Sequence, residues 1–279
     1  MSNRKKRAIS GILAGTSGSV LLQVTTLIVT PFYLNLTSQE IFGLWLTLFA
    51  ILGWIKIGDL GLGMALTRRA VEALELEDYK LLSRLTYGAI LPALSVGFVV
   101  VSLGFLATEY LVTLFNITSE LENSFVKTFH TLLFVALLKS ALGTFGSLID
   151  AKQHIAFLHV RNTVVSLLTT MLTLVFLFLD YGILSFGYGL LFEALIMPFV
   201  DITYLRIIDK KIIFFPIKTS KKEIISLFKF GGPFQILKIT NLVNTNVDNI
   251  FIAAIIGAAS VPVYVFSGKL AFLFSVFLI

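Results

Sequence analysis

Seven of the ionisable residues inside apolar stretches of the sequence are candidates for a functional role. The lysines are Lys56, Lys139, Lys238 and Lys269, and the carboxylates are Asp59, Glu193 and Asp248. A charge near the centre of a bilayer costs roughly 2.5–3.5 kcal/mol on insertion scales, so such groups face one another or a water-filled cavity. Because the lysines outnumber the carboxylates and lie on separate segments, they predict a cationic cavity for an anion such as a phosphate, a pyrophosphate or an acidic sugar.

The other polar residues of these stretches extend this prediction. Asn244 is assigned to the cavity as a hydrogen-bonding group for a sugar, although an amide can equally join two helices. The three carboxylates are predicted to be charge partners of the lysines or ion-coupling groups. The alternative for each charge is an internal ion pair or a side chain that reaches the lipid headgroups. Lys56 and Asp59, three residues apart, can also form a purely local pair.

Signals for enzymatic chemistry are poor. The three histidines, His130, His154 and His159, lack the spacing of a metal site such as H-E-x-x-H. There is no phosphate-binding loop of the type G-x-x-x-x-G-K-[ST], and the absence of cysteine excludes disulfides and thiol chemistry. We therefore expect a protein that is not an enzyme and that needs no cofactor or metal.

The composition predicts the helices that must carry these residues. Hydrophobic residues make up 57% of the 279 residues and charged residues 14%, with a mean hydropathy of +0.92. These values exclude a water-soluble globular enzyme. Windows of spanning length predict an all-α, polytopic membrane protein with about eight transmembrane helices. The predicted spans are 8–34, 41–66, 84–107, 125–149, 160–180, 183–205, 228–256 and 262–279.

The basic residues predict the orientation. Most of the 22 basic residues fall at the N-terminus and in the loops after the second, fourth and sixth spans. The positive-inside rule therefore puts the N-terminus and these loops in the cytoplasm. The same charges are explained by anionic lipid headgroups, so nucleic acid is not an expected partner.

An internal repeat predicts the domain organisation. Shifted by 219 residues, Gly43-Leu44-Trp45 falls on Pro262-Val263-Tyr264, and both copies follow a long helix and a short turn. We expect a six-helix lobe in 1–206, a basic cytoplasmic linker with an interfacial helix in 207–227, and the first two helices of a second lobe in 228–279. Gly231-Gly232-Pro233 should break the helix after that linker. Because the chain ends on apolar residues, it is also expected to be a fragment of a longer transporter.

Several short motifs resemble a known family. Gly43-Leu-Trp45, Gly58-Asp-Leu-Gly-Leu-Gly63, Thr67-Arg68-Arg69 and Asp248-Asn-Ile-Phe-Ile-Ala are similar to segments of the bacterial polysaccharide flippases, which translocate O-antigen and capsule repeat units. These belong to the multidrug/oligosaccharidyl-lipid/polysaccharide exporter superfamily. The resemblance implies two helical lobes around a cationic cavity in the inner membrane. It also implies an undecaprenyl-pyrophosphate-linked oligosaccharide as cargo, alternating access, and the polysaccharide polymerase and chain-length machinery as partners.

Three other functions remain open at this point. A multidrug–cation antiporter of the same superfamily would need a cavity dominated by carboxylates, which the excess of lysines disfavours. A membrane glycosyltransferase or polymerase would need catalytic groups on a large outer loop, and the longest such loop offers only Glu109, Glu120 and Glu122. A structural membrane scaffold is the last alternative.

Overall fold

The chain is a bundle of α-helices. The computed structural model describes residues 3–55, 60–212 and 219–277, and no strand occurs in these ranges. The helices are α1 (Asn3–Leu36), α2 (Gln39–Ile55), α3 (Leu62–Glu75), α4 (Tyr79–Leu114), α5 (Ser119–Leu142), α6 (Thr144–Ala151), α7 (Ile155–Phe178), α8 (Leu184–Ile208), α9 (Lys221–Ile255) and α10 (Val261–Phe277).

Four stretches of helix in the described ranges are long and apolar enough to cross a membrane. They are Ile9–Leu36, Tyr79–Leu114, Ser119–Ala151 and Ile155–Phe178, and Gln39–Ile55 is a shorter apolar helix. Large apolar side chains on these helices face outward, as on α4, where Leu106 is 81% exposed. An all-α, multi-pass membrane protein is thereby confirmed.

The bundle has two ends, and each has its own apolar core. We call the end with residues 37–38, 115–118 and 256–260 the turn end, and its core includes Trp45, whose ring stacks on that of Phe186. The opposite, basic end holds residues 76–78, 152–154, 209–212 and 219–220, and its core includes Leu66 and Leu205. Helix α9 reaches both cores, Leu227 at the basic end and Ala253 at the turn end. Its polar middle therefore lies between two apolar anchors.

The predicted span 41–66 is wrong as a single helix. Helix α2 ends at Ile55 and α3 begins at Leu62. Leu60 and Gly61 adopt left-handed backbone angles, with φ of 51° and 70°, which a continuous α-helix excludes. Glycine adopts this conformation without the steric cost of a Cβ, so Gly61 favours the turn. Lys56 and Asp59 lie outside the described residues.

The predicted helix break at Gly231-Gly232-Pro233 is also wrong. Helix α9 runs through all three residues, and the expected interfacial segment from Lys221 onward forms its first turns. The helix starts with a capping box in which the hydroxyl of Ser220 accepts from the N–H of Glu223, and the Glu223 carboxylate accepts from the N–H of Ser220. Glycine serves close packing here, because a Cβ on Gly231 would lie 2.8 Å from the carbonyl oxygen of Leu60.

The segments that the predicted repeat pairs are helices of similar length and lie in contact. Helices α1 and α9 have 34 and 35 residues, and α2 and α10 have 17 each. The two turns touch, because Gln39 Nε2 donates to the carbonyl oxygen of Ala259 at 2.9 Å. A Cβ on Gly43 would lie 1.8 Å from the carbonyl oxygen of Ala258 and 3.3 Å from Pro262, its own equivalent in the repeat.

Candidate functional site

A charged cavity lies in the basic half of the bundle. Its volume is about 340 Å³, and residues from α3, α5, α6, α7 and α9 line it. The cations are Lys139, Arg161 and Lys238, and Asp150 is the carboxylate among the lining residues. Four hydroxyl side chains also line it, namely Thr67, Ser140, Thr144 and Ser147. This combination of cations and hydroxyl groups suits a phosphate-bearing ligand.

Two of these cations are held by carboxylates of α8. Lys139 Nζ lies 2.6 Å from Glu193 Oε1, and both side chains are largely buried. Arg161 pairs with both carboxylate oxygens of Asp201, whose side chain is 3% exposed. These pairs offset part of the positive charge of the cavity. The cost of placing the charges among apolar helices is correspondingly reduced.

A third pair continues this series toward the basic end. Lys152 Nζ lies 2.6 Å from Asp209 Oδ2, which also accepts from the hydroxyl of Tyr79 at 3.1 Å. Glu193 and Asp201 lie in α8, eight residues apart, and Asp209 is its C-cap residue. Each binds a cation from a different part of the chain, so the three carboxylates join α8 and its end to α5, α7 and the 152–154 connection.

The Asp209 contacts predict a pH dependence of stability. Burial raises the pKa of Asp209, but hydrogen bonds from Lys152, Lys211 and Tyr79 together with the Lys152 charge lower it below its ordinary value. Because folding lowers the pKa of Asp209, the ionised carboxylate stabilises the folded protein. This stabilisation is fully present at pH values above the unfolded-state pKa of about 3.9, and it is lost as the pH falls through the folded-state pKa.

We therefore expect Asp209→Asn to lower the thermal unfolding temperature in detergent by a constant amount from about pH 7 to pH 5, and by less below about pH 4. Unfolding temperatures of both proteins, measured across this range, check the prediction. A difference that persists unchanged to pH 3 would contradict it.

A second cavity lies between α1, α9 and α10, and we call it the amide cavity. Its volume is about 570 Å³. Its polar lining consists of Gln23, Thr26, Asn244, Thr245, Asn249, Tyr264 and Lys269. The hydroxyls of Thr26 and Thr245 donate to carbonyl oxygens of their own helices, at 2.8 Å and 2.9 Å. The amide groups of the cavity make no hydrogen bond to any described residue. They are therefore available to a ligand.

Two charged residues lie at or near the amide cavity. Lys269 Nζ lies 5.5 Å from the centroid of the Phe266 ring, a cation–π contact, and forms no ion pair within the described ranges. Asp248 accepts a hydrogen bond from the hydroxyl of Tyr264. The cavity thus combines one ammonium group with several neutral hydrogen-bonding groups.

The predicted site residues divide between the two cavities. Lys139 and Lys238 line the charged cavity, whereas Asn244 and Lys269 line the amide cavity. Glu193 pairs with Lys139, so the internal ion pair that was the alternative for each charge is found there. Asp248 lies beside Tyr264, and Lys56 and Asp59 lie outside the described residues.

Sequence reasoning missed Arg161, Asp201 and Tyr264. Arg161 falls at the start of the predicted span 160–180 and is not among the predicted cavity residues, although it lies in the second turn of α7 and lines the charged cavity. A signal was present, because Asp201 falls inside the apolar run of span six, eight residues after Glu193. Tyr264 carried no such signal, because an aromatic residue near a helix start is common in membrane proteins.

The described residues offer binding groups in these cavities and no cluster of three metal-ligating side chains. The three histidines are dispersed: His130 contacts Thr108, His154 contacts Tyr204, and His159 packs beside Gly15. The arrangement is therefore suited to holding a polar, anionic molecule between helices.

Comparison with known families agrees with this geometry. A family model described as "Polysaccharide biosynthesis protein" matches residues 9–279, nearly the whole chain. The chain belongs to the family of polysaccharide biosynthesis proteins. Membership confirms the resemblance to the polysaccharide flippases and gives this multi-pass membrane protein a role in polysaccharide biosynthesis. No curated protein and no solved structure matches the chain.

Proposed function

We propose that this chain translocates lipid-linked oligosaccharide repeat units across the bacterial cytoplasmic (inner) membrane, as a transporter and not as an enzyme. The cargo would be an undecaprenyl-pyrophosphate-linked oligosaccharide destined for O-antigen, capsule or a similar surface polysaccharide. The observation that carries the proposal is a pair of cavities beside α9, each lined by at least one cation and by uncharged hydrogen-bonding side chains, in a largely apolar bundle. Such cavities in a membrane protein mark a substrate pathway.

The two cavities match the two polar parts of this cargo. In the charged cavity, Lys238 can bind the diphosphate together with Arg161, which is also paired with Asp201, and the hydroxyl of Ser147 on α6 is a further donor. In the amide cavity, side-chain amides can bind the sugars through paired donors and acceptors. The isoprenoid tail would stay in the hydrocarbon of the bilayer during translocation, so none of its apolar surface would be exposed to water.

Alternating access would then move the cargo between leaflets. The basic end would face the cytoplasm together with the N-terminus, in accord with the positive-inside rule. The contact of Gly43 with Ala258 joins the two turns at the opposite end. Release toward the outer leaflet would require that contact to open. The polysaccharide polymerase and the chain-length machinery would act on the released product.

The cations of the cavities disfavour the multidrug–cation antiporter as an alternative. Lys139, Arg161, Lys238 and Lys269 line the two cavities together with Asp150, and Glu193 and Asp201 pair with the first two. Lys238 and Lys269 would repel a cationic drug at close range. Unchanged drug susceptibility in cells that lack the protein is the corresponding expectation.

A lysine substitution tests the proposal. We expect Lys238→Gln to lower the rate at which proteoliposomes flip a fluorescent undecaprenyl-diphosphate oligosaccharide by roughly tenfold or more, because one charge-assisted contact is worth about 1.5–3 kcal/mol. Lys210→Gln is the matched control, because Lys210 is exposed at the basic end and lines neither cavity. Equal flipping by the wild-type protein, Lys238→Gln and protein-free liposomes would refute the proposed function.

A further inference from the structure

We infer that the amide cavity is a binding site for an acidic sugar, and that Lys269 recognises the carboxylate of that sugar. This inference rests on the proposed function and assigns specificity within it. The cargo would carry a uronic acid or a similar carboxylated residue in its repeat unit. Neutral sugars of the same size would bind more weakly.

The first support is the state of Lys269. Lys269 lines the amide cavity from α10, and no carboxylate of the described chain is within ion-pairing distance of its Nζ atom. Asp248, the acidic residue of the neighbouring segment of α9, is engaged by the hydroxyl of Tyr264 instead. An ammonium group that lines a cavity without an ion-pair partner in the described chain is expected to serve a ligand anion.

The second support is the neutral character of the remaining lining. Gln23 on α1 and Asn244 and Asn249 on α9 carry side-chain amides without a partner in the described part of the protein. An amide presents donors and an acceptor together, which is what the hydroxyl groups of a sugar ring require. Tyr264 adds an aromatic surface. A volume of about 570 Å³ lies within the usual range for ligand pockets.

The third support is the difference in charge between the two cavities, which assigns the diphosphate to the charged cavity and the sugar to the amide cavity. Three cations line the charged cavity, two of them paired with carboxylates of α8, whereas the amide cavity is lined by one cation, Lys269. A diphosphate can contact several cations at once and so favours the first cavity, while a single carboxylate matches the one ammonium group of the second. Lys238 and Asn244 are six residues apart on α9, or about 9 Å along its axis. In the proposed function, the diphosphate and the sugars of one lipid-linked molecule would occupy these two neighbouring cavities.

Ligand binding to the whole protein in nanodiscs tests the inference. The probes are a tetrasaccharide of alternating glucuronic acid and N-acetylglucosamine, the neutral tetrasaccharide of N-acetylglucosamine, and inorganic pyrophosphate. Saturation-transfer NMR measures the two sugars, and phosphorus NMR measures pyrophosphate. The variants are Lys269→Gln, Lys269→Arg, Lys238→Gln and, as an exposed control on α9, Lys229→Gln.

We expect the wild-type protein to bind the acidic tetrasaccharide roughly tenfold more tightly than the neutral one, a difference of about 1.4 kcal/mol. Lys269→Gln should abolish this preference without changing the affinity for pyrophosphate, and Lys269→Arg should keep it. Lys238→Gln should weaken pyrophosphate binding alone, and Lys229→Gln should change none of the three affinities.

Two outcomes would overturn the inference. The first is a wild-type protein without a preference for the acidic sugar, or one whose preference survives Lys269→Gln. The second is a loss of pyrophosphate affinity in Lys269→Gln, which would assign the ammonium group to the diphosphate. Failure of the flipping assay with an intact sugar preference would instead refute the proposed function and leave the sugar site standing.

Discussion

Gly43→Ala and Gly231→Ala should each lower the free energy of unfolding by about 2–3 kcal/mol, the cost of overpacking where the neighbour cannot yield. The new methyl group would meet backbone atoms, the Ala258 carbonyl oxygen at 1.8 Å in the first case and the Leu60 carbonyl oxygen at 2.8 Å in the second. Backbone held between two helices cannot move aside as a flexible side chain can. Reversible unfolding in detergent, followed by circular dichroism, measures the effect.

Gly232→Ala is the matched control for Gly231→Ala. Gly232 is the next residue in α9, and a Cβ there would meet nothing within 4 Å. The substitution removes a weak helix former and should be neutral or stabilise the protein by up to about 1 kcal/mol. Equal destabilisation by both alanines would show that α9 does not pack on the Leu60–Gly61 turn as described.

Removal of Asp201 is the second change for which we expect a large effect. Asp201→Ala leaves the guanidinium group of Arg161 without its carboxylate in a site where both side chains are nearly buried. Removing one partner of a buried ion pair typically lowers the free energy of unfolding by about 3–5 kcal/mol, because the other charge stays buried without compensation. We therefore expect a loss of that size, measured as the decrease in the free energy of unfolding in detergent.

The double variant Arg161→Met/Asp201→Leu separates charge from packing. It removes both charges and should recover most of the stability lost in Asp201→Ala. Glu77→Gln is the control for a solvent-exposed pair, because Glu77 and Lys211 lie 3.3 Å apart with both side chains mostly exposed. That control should leave stability unchanged. A double variant as unstable as Asp201→Ala would contradict the electrostatic explanation.

The sequence was sufficient for the class of the protein and for many of its helices. Composition and hydropathy are read from the residues of each segment alone. They predict the long apolar helices α4, α5 and α7, because such helices depend mainly on the residues within them. The unusual lysines could be found in the same way, because a charge in an apolar run is visible without knowledge of the fold. Lys238 and Lys269 indeed line the cavities of the structure.

What could not be predicted depends on which helices are neighbours. Nothing in the spacing of Lys139 and Glu193 indicates that α5 and α8 lie side by side, so their ion pair remained one alternative among several. Gly231 was misread for a related reason. Glycine weakens an isolated helix but also permits close contact between backbones, and only the position of the Leu60–Gly61 turn decides between the two roles.

The double anchoring of α9 limits how the cavities beside it can change shape. Leu227 fixes one end in the core of the basic end, and Ala253 fixes the other in the core of the turn end. Tilting the whole helix would expose one of these cores, whereas flexing within it would not. Pro233 lacks the N–H that would bond to the carbonyl of Lys229, which makes that turn the weakest point of the helix axis. Lys238 lies little more than one turn further along, so a hinge at Pro233 would displace the cation while both anchors stay in place.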